Sequence, residues 1–165
     1  MTINKASIVT GPLYEPLVND NLSGFISSTR PTVNATYVLV GSTWTDGNGG
    51  TNLGANRNTN IIIQFSESMD PSSITVNTSG SSCSGTIQVS SISDNFATNS
   101  CVQMSSSPSV SNNNKTFTVD PSSCLGNGGS YYIKVTTGVK DGSGNYMASD
   151  NTTVTGFGTN KLACP

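Results

Sequence analysis

None of the 165 residues of this chain is histidine, so its reactive side chains are carboxylates, hydroxyls, thiols and a few amines. The Ser-His-Asp and Cys-His nucleophile systems and the HExxH zinc site each need an imidazole, and all three are excluded. Glu67 and Asp70 stand three residues apart in FSESMDP. A glycosidase needs two carboxyls opposed across a cleft, whereas this spacing suits the capping of one turn. Asp141 begins DGSG, which resembles an aspartic-protease loop. That mechanism needs two aspartates sharing a proton, and one such loop is present. No phosphate-cradling GxxxxGK[ST] occurs. The expectation is a protein that is not an enzyme, with no catalytic residue and no cofactor.

Cation and thiol chemistry remain. Asp141, Ser143 and Asn145 alternate as oxygen ligands do, but no downstream Glu completes a calcium loop and the glycine is misplaced. Asp46 with Asn48, in DGNGG, is a weaker version of the same pattern. Both read as solvated β-turns, and no metal site is expected. Cys83, Cys101, Cys124 and Cys164 show no CxxC spacing, which a zinc centre would want. Two disulfides are favoured over free thiols. Of the three possible pairings, Cys83–Cys101 and Cys124–Cys164 are preferred, because the first pair brackets one strand–loop–strand unit and Cys164 can staple the tail. Oxidised cysteines belong outside the cytosol.

The elements that would hold these residues are strands. Charged residues are 10% of the chain, against about 25% in ordinary soluble domains. Ser, Thr, Asn and Gly must supply the polar surface, a composition suited to strands and turns. Alternation predicts strands at Thr36–Val40, Asn60–Phe65, around Ile74 and Val76, around Ile87 and Val89, at Val102 and Met104, at Phe117 and Val119, and over Tyr131–Val135. Apolar residues on both faces of Asn60–Phe65 predict a central strand. The stretch around DGNGG reads as a long loop. In a last strand over Thr152–Thr159, Gly156 is expected to mark a bulge that re-aims Phe157 inward. Asp70 or Ser72 is expected to cap a short turn. The net charge of -2 and the scattered Lys and Arg argue against nucleic acid, and no apolar run is long enough to span a membrane.

Residues 1–30 differ from the rest. Two strand-like pieces, Ala6–Thr10 and Gly24–Ser28, flank the Pro-punctuated GPLYEPLV, and Arg30-Pro31 marks a boundary. A linker, an extra strand on this sandwich and a strand donated to a neighbouring copy all stay open. MTINKASIVTGPLYEP lacks the apolar stretch of a secretory signal. A mature fragment, another export route, or release with a particle such as a virion would each account for it. The sequons at Asn34, Asn114 and Asn151 are expected by chance in so Asn-rich a chain.

Two long signatures then carry a resemblance. The first is Ile63-Gln64-Phe65-Ser66-Glu67-Ser68-Met69-Asp70-Pro71, and the second runs from Tyr132 through Met147, closing with Thr155-Gly156-Phe157-Gly158-Thr159. Over about residues 31–160 the chain resembles the bacterial Ig-like domains of the S-layer SbsA type. The resemblance implies an all-β fold, an Ig-like sandwich of about seven to nine antiparallel strands, with an N-terminal extended segment. Residues 1–30 would be an extension, 31–160 the sandwich and 161–165 a tail. The segment 79–114 is longer than the family core requires, and one copy stands where tandem modules are usual.

The function implied is a non-catalytic structural or adhesive module of an extracellular bacterial surface protein. Its partners would be other modules, copies of itself, or a host or matrix ligand. The alternative is a self-assembling subunit of a filament, sheath or virion, linked by strand donation from residues 1–30. Trp44 and Tyr146 are the candidate surface contacts. Denatured without reductant, the protein should expose no thiol to Ellman's reagent. Four reactive thiols would overturn the extracellular assignment.

Overall fold

Alternating apolar residues become strands wherever a second sheet lies beneath them to take the apolar face. The computed structural model describes residues 29–93, 96 and 99–165. Ala6–Thr10 and Gly24–Ser28 lie outside the described residues. Ten strands follow in order: β1 (Val33–Val40), β2 (Thr43–Asp46), β3 (Gly50–Ala55), β4 (Ile61–Phe65), β5 (Ile87–Ser90), β6 (Ser109–Ser111), β7 (Thr116–Val119), β8 (Ser130–Val135), β9 (Asn151–Thr152) and β10 (Phe157–Thr159). One sheet has the order β2-β1-β4-β7-β6 and the other β3-β10-β8-β5, with β9 also on β8. All strand pairs are antiparallel except β3 with β10. This is an Ig-like sandwich, and its short edge strands carry the count past the seven to nine expected.

The core is the filling between the sheets. Val38, Ile61, Ile63, Phe65, Phe117 and Val119 point inward from the first sheet, and Ile87, Val89, Ile133, Val135 and Phe157 from the second. Phe65 meets Phe117 edge-on at 5.8 Å between centroids, and Tyr131 stacks on Phe157 at 5.6 Å. Both are separations at which ring pairs attract beyond the area they bury. Strand β4 is central, with β1 and β7 on its two sides. Disulfides join Cys83 to Cys101 and Cys124 to Cys164, with Cα atoms 5.0 and 6.3 Å apart.

Several expectations fail, each for a local reason. The stretch read as a long loop contains β2 and β3, whose residues are mostly exposed or half-buried and so show no alternation. Trp44 therefore sits on an edge strand, opposite Leu39. Around Ile74 and Val76, and at Val102 and Met104, the chain makes single bridges rather than strands, namely Val76 to Gly85, Cys101 to Ser90 and Met104 to Pro121. Burial there produced alternation without a ladder partner. Strand β6 was not foreseen. Its hairpin to β7 turns on Asn112, Asn113 and Asn114, all at positive φ of 51 to 60°. Asparagine tolerates that conformation better than most residues.

The single last strand is two, β9 and β10, and Val154 between them is exposed while Phe157 is buried. Gly156 makes the change of direction at φ +60°, with no room for a Cβ beside the Tyr131 carbonyl. At Gly158 a Cβ would overlap the Thr51 carbonyl, because β3 passes directly over it. Gly158→Ala should push β3 off β10 and cost about 2–3 kcal/mol, the scale of core overpacking. Urea unfolding measures this, and a loss under 0.5 kcal/mol would contradict the close approach.

Candidate functional site

The fold brings the two signatures together at one pole of the sandwich. Met69 and Asp141 form an antiparallel bridge, flanked by Asp70 N–H to the Lys140 carbonyl and Gly142 N–H to the Ser68 carbonyl, both 2.9 Å. The Asp70 carboxylate caps a single 3-10 turn (Pro71–Ser73), accepting from the Ser72 N–H at 2.9 Å and its hydroxyl at 2.7 Å. Proline at the first position suits that cap, since its missing N–H would have had no partner. Asp70 also pairs with Lys140 Nζ at 3.1 Å. The asparagine hairpin joins in, because the Asn114 carbonyl accepts the Met69 N–H. Met69 and Met147 lie buried beneath this junction. Asp70 itself is committed to its cap and to Lys140.

Asp141 is the unusual group, a carboxylate only 2% exposed. Its Oδ1 accepts the Ser143 and Asn145 N–H groups at 2.8 Å, and its Oδ2 accepts the Asn145 side-chain amide at 2.8 Å. Burial pushes its pKa up, but the hydrogen bonds from Asn145, Ser143 and Gly144 outweigh burial and hold the carboxyl below the ordinary range. Hydrogen bonds from Ser72, then Lys140, lower Asp70. Lys134, at 3.0 Å, with the Thr137 N–H, lowers Asp150. These lone pairs are spent on turn donors, so the Asp141, Ser143, Asn145 pattern is a turn lock. No cluster of three metal-ligating acids, thiols or imidazoles occurs among the described residues. Asp46 and Asn48 are likewise engaged. Asp46 accepts the Asn48 N–H, and the Asn48 side chain accepts the N–H groups of Thr155 and Gly156.

The two candidate contact residues do not meet. Trp44 is 46% and Tyr146 51% exposed, but they flank opposite ends of β1. Trp44 pairs with Leu39 near its end, while the Tyr146 carbonyl accepts Arg30 Nη1 at 3.3 Å ahead of its start. Eight strand residues span roughly 26 Å, too far for one sugar or peptide ring to touch both. Between these ends lies a cleft that sequence reasoning did not find. It runs along residues 31–36 on one side and 147–153 on the other, as two adjoining hollows of about 200 and 110 Å3. Only the tertiary gap between two sheets makes it, so no local pattern announces it.

Residues 25–159 match the family model of the bacterial Ig-like domain. Solved structures similar to the chain include surface layer protein SbsC, domains 1–6, at 18% identity and a TM-score of 0.48, covering 82% of this chain and 14% of that one. The N-terminal part of the bacterial S-layer protein SbsC gives the same identity, TM-score and coverage of this chain, and 24% of its own length. The chain thus spans about a quarter or less of these structures. No curated protein matches it.

The three lowered carboxyls fix how stability varies with acid. Each has a lower pKa folded than unfolded, so protonation favours the unfolded chain. Their contribution is complete above the unfolded value near 4 and is lost as pH falls through the folded values. With no histidine to titrate, the melting temperature should stay level from about pH 5 to 8 and fall below about pH 4. Asp141→Asn should cost about 1.5–3 kcal/mol at neutral pH and flatten the acid limb. Calorimetry across pH checks both, and an unchanged acid limb in the variant would contradict the role of Asp141.

Proposed function

The chain belongs to the bacterial Ig-like domain family, and from that footing we propose that it is a non-catalytic structural module of an extracellular bacterial surface protein, set in series with other modules or copies of itself. The motif match over residues 63–71 and 132–147 supports placing it with the S-layer type within the family. We take residues 31–160 as the module, 1–30 as an extension and 161–165 as a tail.

The observation that carries the reading is polar layout. The chain enters the sandwich beside Tyr146, at the pole of the paired turns. It leaves at the other pole, where Arg57 donates to the carbonyls of Leu125 and Leu162 and Cys164 is bonded to Cys124. A domain whose chain enters and leaves at opposite ends passes tension along its length, which is what a spacer or scaffold needs. Asp70 and Asp141, which looked reactive, are committed to turns. Two disulfides fit an oxidising exterior. An adhesive role would rest on Trp44 or Tyr146 singly, since the two stand at opposite ends of β1.

Intact cells producing the protein should bind an antibody raised against it and lose that epitope to added protease. Recovered protein should carry no free thiol. Protein found only after lysis, with four reduced cysteines, would sink the assignment.

A further inference from the structure

The cleft beside β1 is bounded by two strand edges that pair with no strand among the described residues. Strand β2 covers only Tyr37–Val40 of β1, and past it Gly47 N–H takes the Thr36 carbonyl before the chain crosses to the other sheet. The β2-side edge of residues 33–35 therefore has no strand partner among the described residues. Across the gap, β9 pairs with Lys134 and Val135 of β8 on one side only. The two edges border the larger hollow, which Val33, Ala35, Asn151 and Thr153 help to line. Open N–H and C=O groups at such edges are templates for a further strand. The hollow is lined by Thr, Asn, Asp, Ala and Val side chains.

The 28 residues that precede the described chain supply a candidate. Twelve of them are apolar, a richer share than the chain's 33%. Ala6–Thr10 alternates Ala6, Ile8 and Thr10 with Ser7 and Val9, and Gly11-Pro12 then ends any pairing. Where this segment joins the sandwich decides which cleft it can reach. Arg30 is tied to the Tyr146 carbonyl, and Pro31 and Thr32 already form the near end of one wall. A residue before proline is held extended, and Arg30 is such a residue. Residues 11–28, fully extended, reach roughly 60 Å, more than twice the length of β1.

We propose that Ala6–Thr10 of one copy inserts as a strand into the cleft between β1 and β9 of a second copy. Main-chain hydrogen bonds to the two open edges give affinity, and the alternating side chains set the register. The contact is head-to-tail, so repetition gives a filament where the rotation between copies does not close. This rests on the reading of a module set in series and names the partner and the seat.

Complementation between two full-length variants tests it. Ile8→Asp with Val9→Asp disables the donor strand. Asn34→Arg with Thr152→Arg plugs the cleft at two exposed positions that the fold does not need. Light scattering after size exclusion should find wild-type particles several-fold heavier than the 17.0 kDa chain and each variant alone as a monomer. An equal mixture should give two-copy particles and nothing longer, because one variant keeps a donor and the other a cleft. Circular dichroism identifies a misfolded variant, in which case Ala35→Arg replaces the pair in the cleft. A mixture that stays monomeric, or a donor variant that assembles like wild type, overturns the proposal. Wild type that is monomeric at every concentration, with residues 33–35 protected from hydrogen exchange, also overturns it and points to the chain's own segment in its own cleft. Surface exposure on cells is read separately, so the module reading can stand if this inference falls.

Discussion

A buried carboxylate must find donors or unfold its surroundings, and Asp141 is the point at which this sandwich meets that requirement. Its oxygens draw Ser143 and Asn145 into one tight turn, so the strand of backbone before it, Lys140, has a fixed course. That course places Lys140 against Asp70 and lets Met69 bridge to Asp141. Once the two turns are fastened, Met69 and Met147 close the lower end of the core, and Tyr146 is left outside to receive Arg30. The anchoring of Arg30 ahead of β1 is thus a consequence of a carboxylate some 110 residues further along.

Elsewhere the same work is shared among neutral side chains. Thr59, wholly buried, accepts the Leu39 N–H and donates to the Asn60 carbonyl. Thr153 takes the Ile133 N–H where β9 has ended, and Thr159 links the carbonyl of Gly126 with the N–H of Gly129. Every buried side-chain nitrogen and oxygen among the described residues has a partner. Low charge is therefore no weakness here. Hydroxyls and amides reach backbone groups that ion pairs could not satisfy without carrying a buried charge, and such bonds are far less sensitive to salt.

What could be read from sequence follows burial. Strands β1, β4, β5, β7 and β8 each turn alternate residues into the core, and each was legible from alternation. Edge strand β6 is exposed along its whole length, so nothing in Ser109–Ser111 records that it is paired. The Asn112–Asn114 run was the available sign of its hairpin, because three successive asparagines fit a turn through positive φ. For the site, Asp70 as a cap and Asp141 as a turn former were legible, since both act on backbone within four residues. The meeting of their turns was not, because it depends on how the sheets bring distant segments together. The cleft beside β1 was illegible for the same reason.

The disulfides convert this layout into a rule about extension under load. Tension applied at the two poles must pass along covalent bonds, and Cys124–Cys164 carries it past everything between those residues. Strands β8, β9 and β10 lie inside that 40-residue loop and cannot be drawn out while the bond is closed. The segment inside Cys83–Cys101, including β5, is excluded in the same way. Strands β5, β8 and β10 of the second sheet, with β9, are therefore held, while β1 to β4, β6 and β7 remain free to unravel. The first sheet and β3 can be extended while the rest of the second sheet lies in closed loops, so the parallel seam between β3 and β10 becomes the boundary between the extensible part and the held one.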